Sequence, residues 1–311
     1  MDLLKTLHTV VRRALVARGV EASVRSVGGC AVHFYRLAGP GPGAPVVLVH
    51  GLAGNANGFA RMLLGLAKRF SAVYALDLPG NGFSLLPDSG PLSLEEHLAV
   101  LHAFCQQVVR EPALLVGNSL GGALALTLAV EHPEDVCALG LLAPAGARLP
   151  PERFAELMGR LEVNTPCQGW AFTRRLFHRA PVTALLLAPQ MHKVHNTPAV
   201  RAIRAEATVE NHLSPEDLAR VEVPTLLLWG SSEKLLPSEM LAYFRQHLPA
   251  SARIEVVEAV GHVPQMERPR EMVRRLADFA EESGLLGVKG GARPVSGPSA
   301  GNGSTATPSP A

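Results

Sequence analysis

The sequence predicts an α/β fold, a mostly parallel and doubly wound sheet with an inserted helical cap. Two observations predict it. Short apolar runs rich in Val, Leu and Ala alternate with helical stretches between Pro45 and Ala143, which is typical of parallel strands covered on both faces. The alternation stops over residues 150–213, where prolines separate helical stretches, and it resumes at Pro224. We therefore expect a helical insertion between two strands of one sheet.

The individual elements follow from turn signals and periodicity. Two antiparallel strands, Val24–Val27 and Ala31–Leu37, flank the turn at Gly28-Gly29. The first part of the parallel sheet is predicted as four strands, Pro45–His50, Ala72–Asp77, Ala113–Asn118 and Val136–Ala143. The helices predicted between them are one that ends near Arg69, then Leu94–Val109 and Leu120–His132. The second part is predicted as strands Pro224–Gly230 and Arg253–Val257, with helices Glu239–His247 and Arg268–Glu282.

The chain divides into four regions on this basis. Residues 20–149 and 214–286 form the α/β core, and residues 150–213 form the helical cap. Residues 1–19 form an amphipathic helix that either packs on the core or rests on a membrane surface. Residues 287–311 are rich in Gly, Pro, Ser, Thr and Ala, so we expect a disordered tail.

Composition limits the classes of partner. Lys and Arg total 29 against 27 Asp and Glu, so the balance gives no signature of nucleic-acid binding. No apolar run approaches the ~20 residues of a membrane-spanning helix. The four cysteines are widely spaced, which indicates reduced thiols and neither a zinc site nor a disulfide framework. We expect a cytoplasmic protein, with peripheral membrane contact and oligomeric state left open.

The strongest local signal for chemistry is Gly117-Asn118-Ser119-Leu120-Gly121. This G-x-S-x-G sequence follows an apolar strand and opens a helix, the context in which it marks a nucleophile elbow. The two glycines let the backbone pass where a Cβ would clash. The sequence therefore predicts Ser119 as a nucleophile at the carboxyl edge of the sheet.

A serine nucleophile needs a base and an orienting carboxylate, and both are found after later strands. His262 follows the last strand and Glu233 follows Pro224–Gly230, so both lie on the edge that carries Ser119. The order Ser119, Glu233, His262 is the α/β-hydrolase order of nucleophile, acid and base. His50 and Asp77 also end strands, but they are interpreted as structural loop residues.

Two backbone N–H groups are candidates for stabilising an oxyanion. The N–H of Leu120 lies at the start of a helix, and the loop His50-Gly51-Leu52-Ala53-Gly54 places that of Leu52 opposite it. Together they would form an oxyanion hole.

These motifs resemble the α/β-hydrolase fold superfamily over residues 24–282. The likeness depends on five segments in the family's order: His50-Gly51, Asp77–Ser84, Gly117–Gly122, Trp229–Pro237 and Gly261–Pro269. The chain is most similar to capped esterases and monoacylglycerol-lipase-like members. The resemblance implies hydrolysis of esters by an acyl-enzyme on serine, with no cofactor and no metal.

Two positions depart from the family pattern. Glu233 stands where Asp is usual, which changes the length of the side chain but keeps the carboxylate. Asn81 stands where D-x-P-G-H-G has its histidine, at a position that is normally structural.

The apolar cap favours a lipophilic acyl ester, such as a monoacylglycerol, as the small-molecule substrate. Candidate lining residues are Phe154, Leu157, Met158, Leu161, Trp170, Phe172, Leu176, Phe177, Leu185, Leu186 and Met191. The cap also carries arginines, interpreted as a solvated face or as a contact for anionic lipid: Arg174, Arg175, Arg179, Arg201 and Arg204. The alternatives are a same-triad C–C bond hydrolase, thioesterase or perhydrolase, and a non-enzymatic receptor on a hydrolase scaffold.

Overall fold

The computed structural model describes residues 3–208 and 212–286, and within them eight strands form one sheet. The strands are β1 (Glu21–Val27), β2 (Cys30–Ala38), β3 (Val46–Val49), β4 (Ala72–Leu76), β5 (Ala113–Ser119), β6 (Val136–Pro144), β7 (Thr225–Gly230) and β8 (Arg253–Val257). Their order across the sheet is β1-β2-β4-β3-β5-β6-β7-β8. The β1–β2 and β2–β4 pairs are antiparallel and the other pairs are parallel. The predicted mostly parallel sheet is confirmed.

Helices cover both faces of this sheet. One face carries α1 (Leu3–Val16), α2 (Ala60–Leu66) and α13 (Pro269–Glu282), whose apolar residues share one buried cluster. The other face carries α3 (Leu94–Phe104), α4 (Leu120–Glu131), α10 (Pro215–Ala219) and α11 (Ser238–His247), which share a second cluster. The short α12 (Pro264–Glu267) follows the loop after β8. Parallel strands buried on both sides explain why their sequences are continuous apolar runs.

The insertion between β6 and β7 is helical where it is described. Its helices are α5 (Pro151–Leu161), α6 (Pro166–Leu176), α7 (Val182–Leu187), α8 (Met191–His195) and α9 (Pro198–Glu206). The two ends of this cap lie side by side, because the N–H of Leu213 donates to the carbonyl of Gly146 at 2.9 Å. The cap therefore leaves and rejoins the core at one place.

Some boundaries differ from the sequence prediction. β1 begins at Glu21 rather than Val24, and pairs in register from Glu21 opposite Arg36 although much of the strand is polar and exposed. The helix predicted to run to Val109 is α-helical only to Phe104 and continues as a π-helical turn. The predicted disordered tail lies outside the described residues. None of the described helices is both long enough and apolar enough to cross a membrane.

Candidate active site

Ser119 lies at a sharp turn between β5 and α4. Its backbone has φ 54° and ψ −118°, a conformation that a residue with a side chain rarely adopts. A Cβ on Gly117 would lie 2.2 Å from the carbonyl oxygen of Gly121, and one on Gly121 would lie 2.2 Å from that of Val49. Only glycine fits at either position, so the sequence imposes the strained turn that presents Ser119 at the end of the strand.

His262 and Glu233 form a buried pair. Nδ1 of His262 lies 2.8 Å from Oε2 of Glu233, and their side chains are 3% and 2% exposed. The other carboxylate oxygen, Oε1, accepts from the N–H groups of Leu235 at 2.7 Å and Leu236 at 3.1 Å. Every strong polar interaction of the carboxylate is thus made with His262 or with its own loop.

The pair favours an ionised carboxylate. Burial on its own would raise the pKa of Glu233, but the nearby His262, its hydrogen bond and the two backbone N–H groups outweigh burial and hold that pKa below its ordinary value. A carboxylate at Nδ1 fixes the imidazole tautomer and leaves Nε2 to act as the base.

Ser119 and His262 line one cavity of about 340 Å³. Leu52 lines it as well, and Glu233 lies behind His262. The structure therefore brings together the nucleophile, the base and the acid predicted from sequence, at the carboxyl ends of β5, β8 and β7.

Asn118 ties the serine loop to the histidine loop. Its Nδ2 donates to the carbonyl of His262 at 3.0 Å and to that of Leu142 at 2.8 Å, and its Oδ1 accepts from Gln265 at 2.9 Å. The sequence alone predicted no role for Asn118. A polar side chain at the end of an apolar strand was the available signal, since a buried amide there needs partners.

The loop after β3 runs directly against the nucleophile. A Cβ on Gly51 would lie 3.0 Å from the Cβ of Ser119, and Leu52 is one of the residues that line the cavity. Leu120 is the first residue of α4, so its N–H lies at the helix N-terminus, and its side chain packs on the core. Leu120 thus follows Ser119 directly, and Leu52 follows the glycine that approaches it; their role as an oxyanion hole stays a prediction.

His50 and Asp77 hold these loops in place. Nε2 of His50 accepts from the N–H of Leu78 at 3.0 Å, and burial lowers the pKa of His50. The Asp77 carboxylate accepts from the N–H groups of Ala56 at 2.6 Å and Phe83 at 2.9 Å. These contacts agree with the structural roles expected of both residues.

The cavity wall contributed by the cap is mainly apolar, with Thr173 and His195 as its polar residues, and the apolar lining residues differ in part from those predicted. Leu161, Phe172, Leu176, Phe177 and Met191 line the cavity, together with the unpredicted Ala184 and Leu187. Six predicted residues do not line it: Phe154, Leu157, Met158, Trp170, Leu185 and Leu186. Trp170 and Leu186 are 41% and 70% exposed, because they lie on the outer faces of α6 and α7.

The amphipathic α1 also contributes to this wall. Leu4, Leu7, His8 and Val11 line the cavity, and Nδ2 of Asn55 lies 3.2 Å from Nε2 of His8. The sequence predicted the helix but not this role, because no local pattern shows that α1 meets the loop after β3.

The described residues contain no group of three or more His, Cys, Asp or Glu placed to hold a metal ion. The expectation that no cofactor is needed stays a prediction.

A strained serine at a strand–helix turn, beside a buried histidine–carboxylate pair on a doubly wound sheet, defines a hydrolase of the serine type. The chain belongs to the α/β hydrolase fold family, whose model matches residues 44–269.

Known relatives cover most of the chain. Monoacylglycerol lipase ABHD6 from Bos taurus is 26% identical over 77% of this chain and 76% of its own. The 2-hydroxy-6-oxo-2,4-heptadienoate hydrolase of Pseudomonas putida is 25% identical over 88% of this chain and 97% of its own. Among solved structures, a membrane phospholipase A described as a bacterial virulence factor superposes with a TM-score of 0.76. It is 26% identical and the match covers 89% of this chain and 91% of that one.

Proposed function

We propose that this chain hydrolyses lipophilic carboxylic esters, such as monoacylglycerols, through an acyl-enzyme on Ser119. The Oγ of Ser119 attacks the ester carbonyl while Nε2 of His262 takes its proton. The N–H groups of Leu52 and Leu120 stabilise the oxyanion. His262 then protonates the leaving alcohol, and a water molecule activated by the same imidazole hydrolyses the acyl-enzyme.

The observation that carries the proposal is the pairing of His262 with Glu233 at 2.8 Å beside the cavity that Ser119 lines. In that arrangement Glu233 orients the imidazole and stabilises the imidazolium that forms when Ser119 loses its proton. Asn118 and the loop after β3 support the same geometry, since they fix the backbones of His262 and Ser119 to each other.

The lining of the cavity supports an uncharged, lipophilic substrate. Its cap side is formed by seven apolar residues and two polar ones: Leu161, Phe172, Leu176, Phe177, Ala184, Leu187 and Met191, with Thr173 and His195. Among the described residues, no Lys or Arg lines the cavity. An acyl chain would bury apolar surface there, which stabilises binding by about 25 cal/mol per Å² removed from water. The lipase and phospholipase names of the relatives agree with a lipid ester.

The second candidate is a C–C bond hydrolase, because the Pseudomonas putida relative bears that name and is matched over nearly its whole length. A dienoate substrate carries a carboxylate, and burying a carboxylate without a cation is costly. The described lining of the cavity contains no Lys or Arg that could pair with it. This favours the ester over the dienoate. Thioesterase activity uses the same triad, and an acyl thioester is therefore included in the test.

The test is covalent labelling by a fluorophosphonate followed by an ester series. The wild type is expected to gain the probe mass on Ser119 and to hydrolyse p-nitrophenyl and glyceryl esters of increasing chain length faster than a dienoate or an acyl thioester. Ser119→Ala should lose turnover by about 10⁶-fold, because the nucleophile is removed. The matched control Ser238→Ala, at an exposed serine on α11, should keep wild-type rates.

Two results would contradict the proposal. Turnover retained by Ser119→Ala would exclude the acyl-enzyme, and a wild-type protein that never labels would favour the receptor alternative. Faster cleavage of the dienoate than of any ester would replace the ester by the C–C substrate.

The proposal includes contact with a lipid surface. Leu3 and Val10 on α1 are 46% and 55% exposed, and Val182 on α7 is 72% exposed. Both helices also line the cavity, so a bilayer bound to them would lie next to the path of its own lipid esters. The exposed Arg13 on α1 supplies positive charge of the kind that anionic lipids attract.

A further inference from the structure

A short segment of the cap lies against the loop that carries His262. This docking segment, residues 176–178, consists of the last residue of α6 and the two residues that follow it. Its first carbonyl, that of Leu176, accepts from the N–H of His262 at 2.9 Å. A Cβ on Gly261 would lie 2.8 Å from the backbone nitrogen of His178, so the two backbones are as close as glycine allows.

The carboxylate of Glu267 bridges these two backbones. Its Oε1 accepts from the N–H of Gly261 at 2.6 Å, and its Oε2 accepts from the N–H of His178 at 2.9 Å. An ionised carboxylate makes stronger hydrogen bonds to N–H groups than a neutral acceptor does. One side chain therefore fixes both the residue before His262 and the docking segment.

The acid loop holds the docking segment from the other side. Nζ of Lys234, the residue after Glu233, donates to the carbonyls of Phe177 and His178 at 3.3 Å each. Oγ of Ser232 lies 2.7 Å from Nδ1 of His178. The docking segment is thus bonded to the loops of both the proposed acid and the proposed base.

We propose that Glu267 is a positioning residue that sets the place of His262 by fastening its loop to the cap. The inference rests on the proposed function, because it assumes His262 as the base. Glu267 does not line the cavity, so it acts through Gly261 and the docking segment. Leu176 and Phe177 do line it, so the docking segment is part of the cavity wall as well as the partner of the His262 loop.

The consequence for catalysis is geometric. Without Glu267, the part-buried N–H groups of Gly261 and His178 lose their acceptor, and movement of the backbone would let them find another. A shift of the imidazole by about 1 Å is enough to cost about 100-fold in rate. KM for a short-chain ester would change little, because Glu267 itself does not line the cavity.

The experiment compares Glu267→Gln and Glu267→Ala with the matched control Glu258→Gln, which makes the same chemical change at an exposed position before the same loop. We measure kcat and KM for a soluble short-chain p-nitrophenyl ester, the rate of fluorophosphonate labelling of Ser119, and Tm. Both Glu267 variants are expected to lose about 10-fold to 100-fold in kcat and in labelling rate, with KM within about twofold. The Glu258 variant should match the wild type.

A merely structural role would lower Tm and leave kcat and the labelling rate unchanged, which would overturn the inference. Lys234→Met tests the docking segment without altering Glu267, and it is informative even where Glu267→Ala does not fold. We expect Lys234→Met to lower kcat and the labelling rate as well. If both Lys234→Met and Glu267→Gln kept wild-type rates, the inference would be overturned. A wild type that neither hydrolyses esters nor labels would instead overturn the proposed function.

Discussion

Glu233 shows how one additional methylene is accommodated in the proposed triad. The carboxylate folds back on its own loop, where Oε1 accepts from the N–H groups of Leu235 and Leu236. The other oxygen then lies 2.8 Å from Nδ1 of His262. The longer side chain is held at both oxygens, so the departure from the usual aspartate preserves the contact with the imidazole.

At this scale we predict the effect of Glu233→Gln. The amide keeps the shape but removes the negative charge, and its NH₂ group can donate to Nδ1 of His262, which would favour the wrong imidazole tautomer. The expected loss is about 10⁴-fold in kcat at pH 7, by analogy with the removal of the carboxylate from a serine–histidine–aspartate triad. Steady-state kinetics with a p-nitrophenyl ester measures it, and Glu222→Gln, at an exposed glutamate before β7, is the control. A loss below about tenfold would remove Glu233 from the triad.

The residues differ in how far sequence alone could predict them. Ser119, Glu233 and His262 each follow a predicted strand, so their common edge could be inferred from strand order. Asn118 and Glu267 act through backbone atoms distant in sequence, such as the carbonyl of His262 and the N–H of His178. A hydrogen bond between two loops leaves no periodic pattern, and that is why both were missed.

At the scale of elements, two faces of α1 have different surroundings. Leu4 and Val11 point to the cavity, whereas Leu3 and Val10 lie towards solvent. The helical spacing of its apolar residues predicted the helix and its amphipathic character. It could not predict which part of the molecule the helix would meet, because that depends on the loop after β3.

We predict that Leu3→Asp combined with Val10→Asp weakens binding to vesicles of phosphatidylcholine and phosphatidylglycerol by at least about tenfold. Two exposed apolar side chains that would enter the bilayer are replaced by anions, which an anionic surface repels. Co-sedimentation measures it. Val24→Asp with Val256→Asp makes the same change on exposed strand positions at the two edges of the sheet and should bind like the wild type. Equal binding by both double variants would contradict the proposed lipid contact.

At the scale of the whole molecule, buried histidines make the fold sensitive to acid. His97 on α3 is fully buried and its two ring nitrogens have no hydrogen-bond partner. Burial, with the nearby His50, lowers the pKa of His97 from 6.5 to about 4. Burial also lowers the pKa of His195 to about 4. Since the unfolded chain binds these protons more readily, stability is complete above about pH 6.5 and falls as the pH drops towards 4.

We predict that His97→Leu removes part of this loss. A depressed pKa of about 4 against 6.5 corresponds to about 2 kcal/mol of unfolding free energy lost by the wild type between pH 7 and pH 5. The variant should lose about 2 kcal/mol less over that interval, as measured by urea unfolding at both pH values. His247→Leu, at a half-buried histidine on α11, should keep the wild-type pH dependence. Identical pH dependence in His97→Leu and the wild type would contradict the assignment.

The place where the cap joins the core has an evolutionary consequence. Residues 146–147 lie beside Leu213. The N–H of Leu213 donates to the carbonyl of Gly146, and a single β-bridge pairs Ala147 with Leu213. A stretch of chain whose two ends meet can be lengthened, shortened or replaced without moving the strands on either side. Selection could therefore replace the cap, and so change which acyl groups are accepted, without altering the proposed catalytic residues in the core.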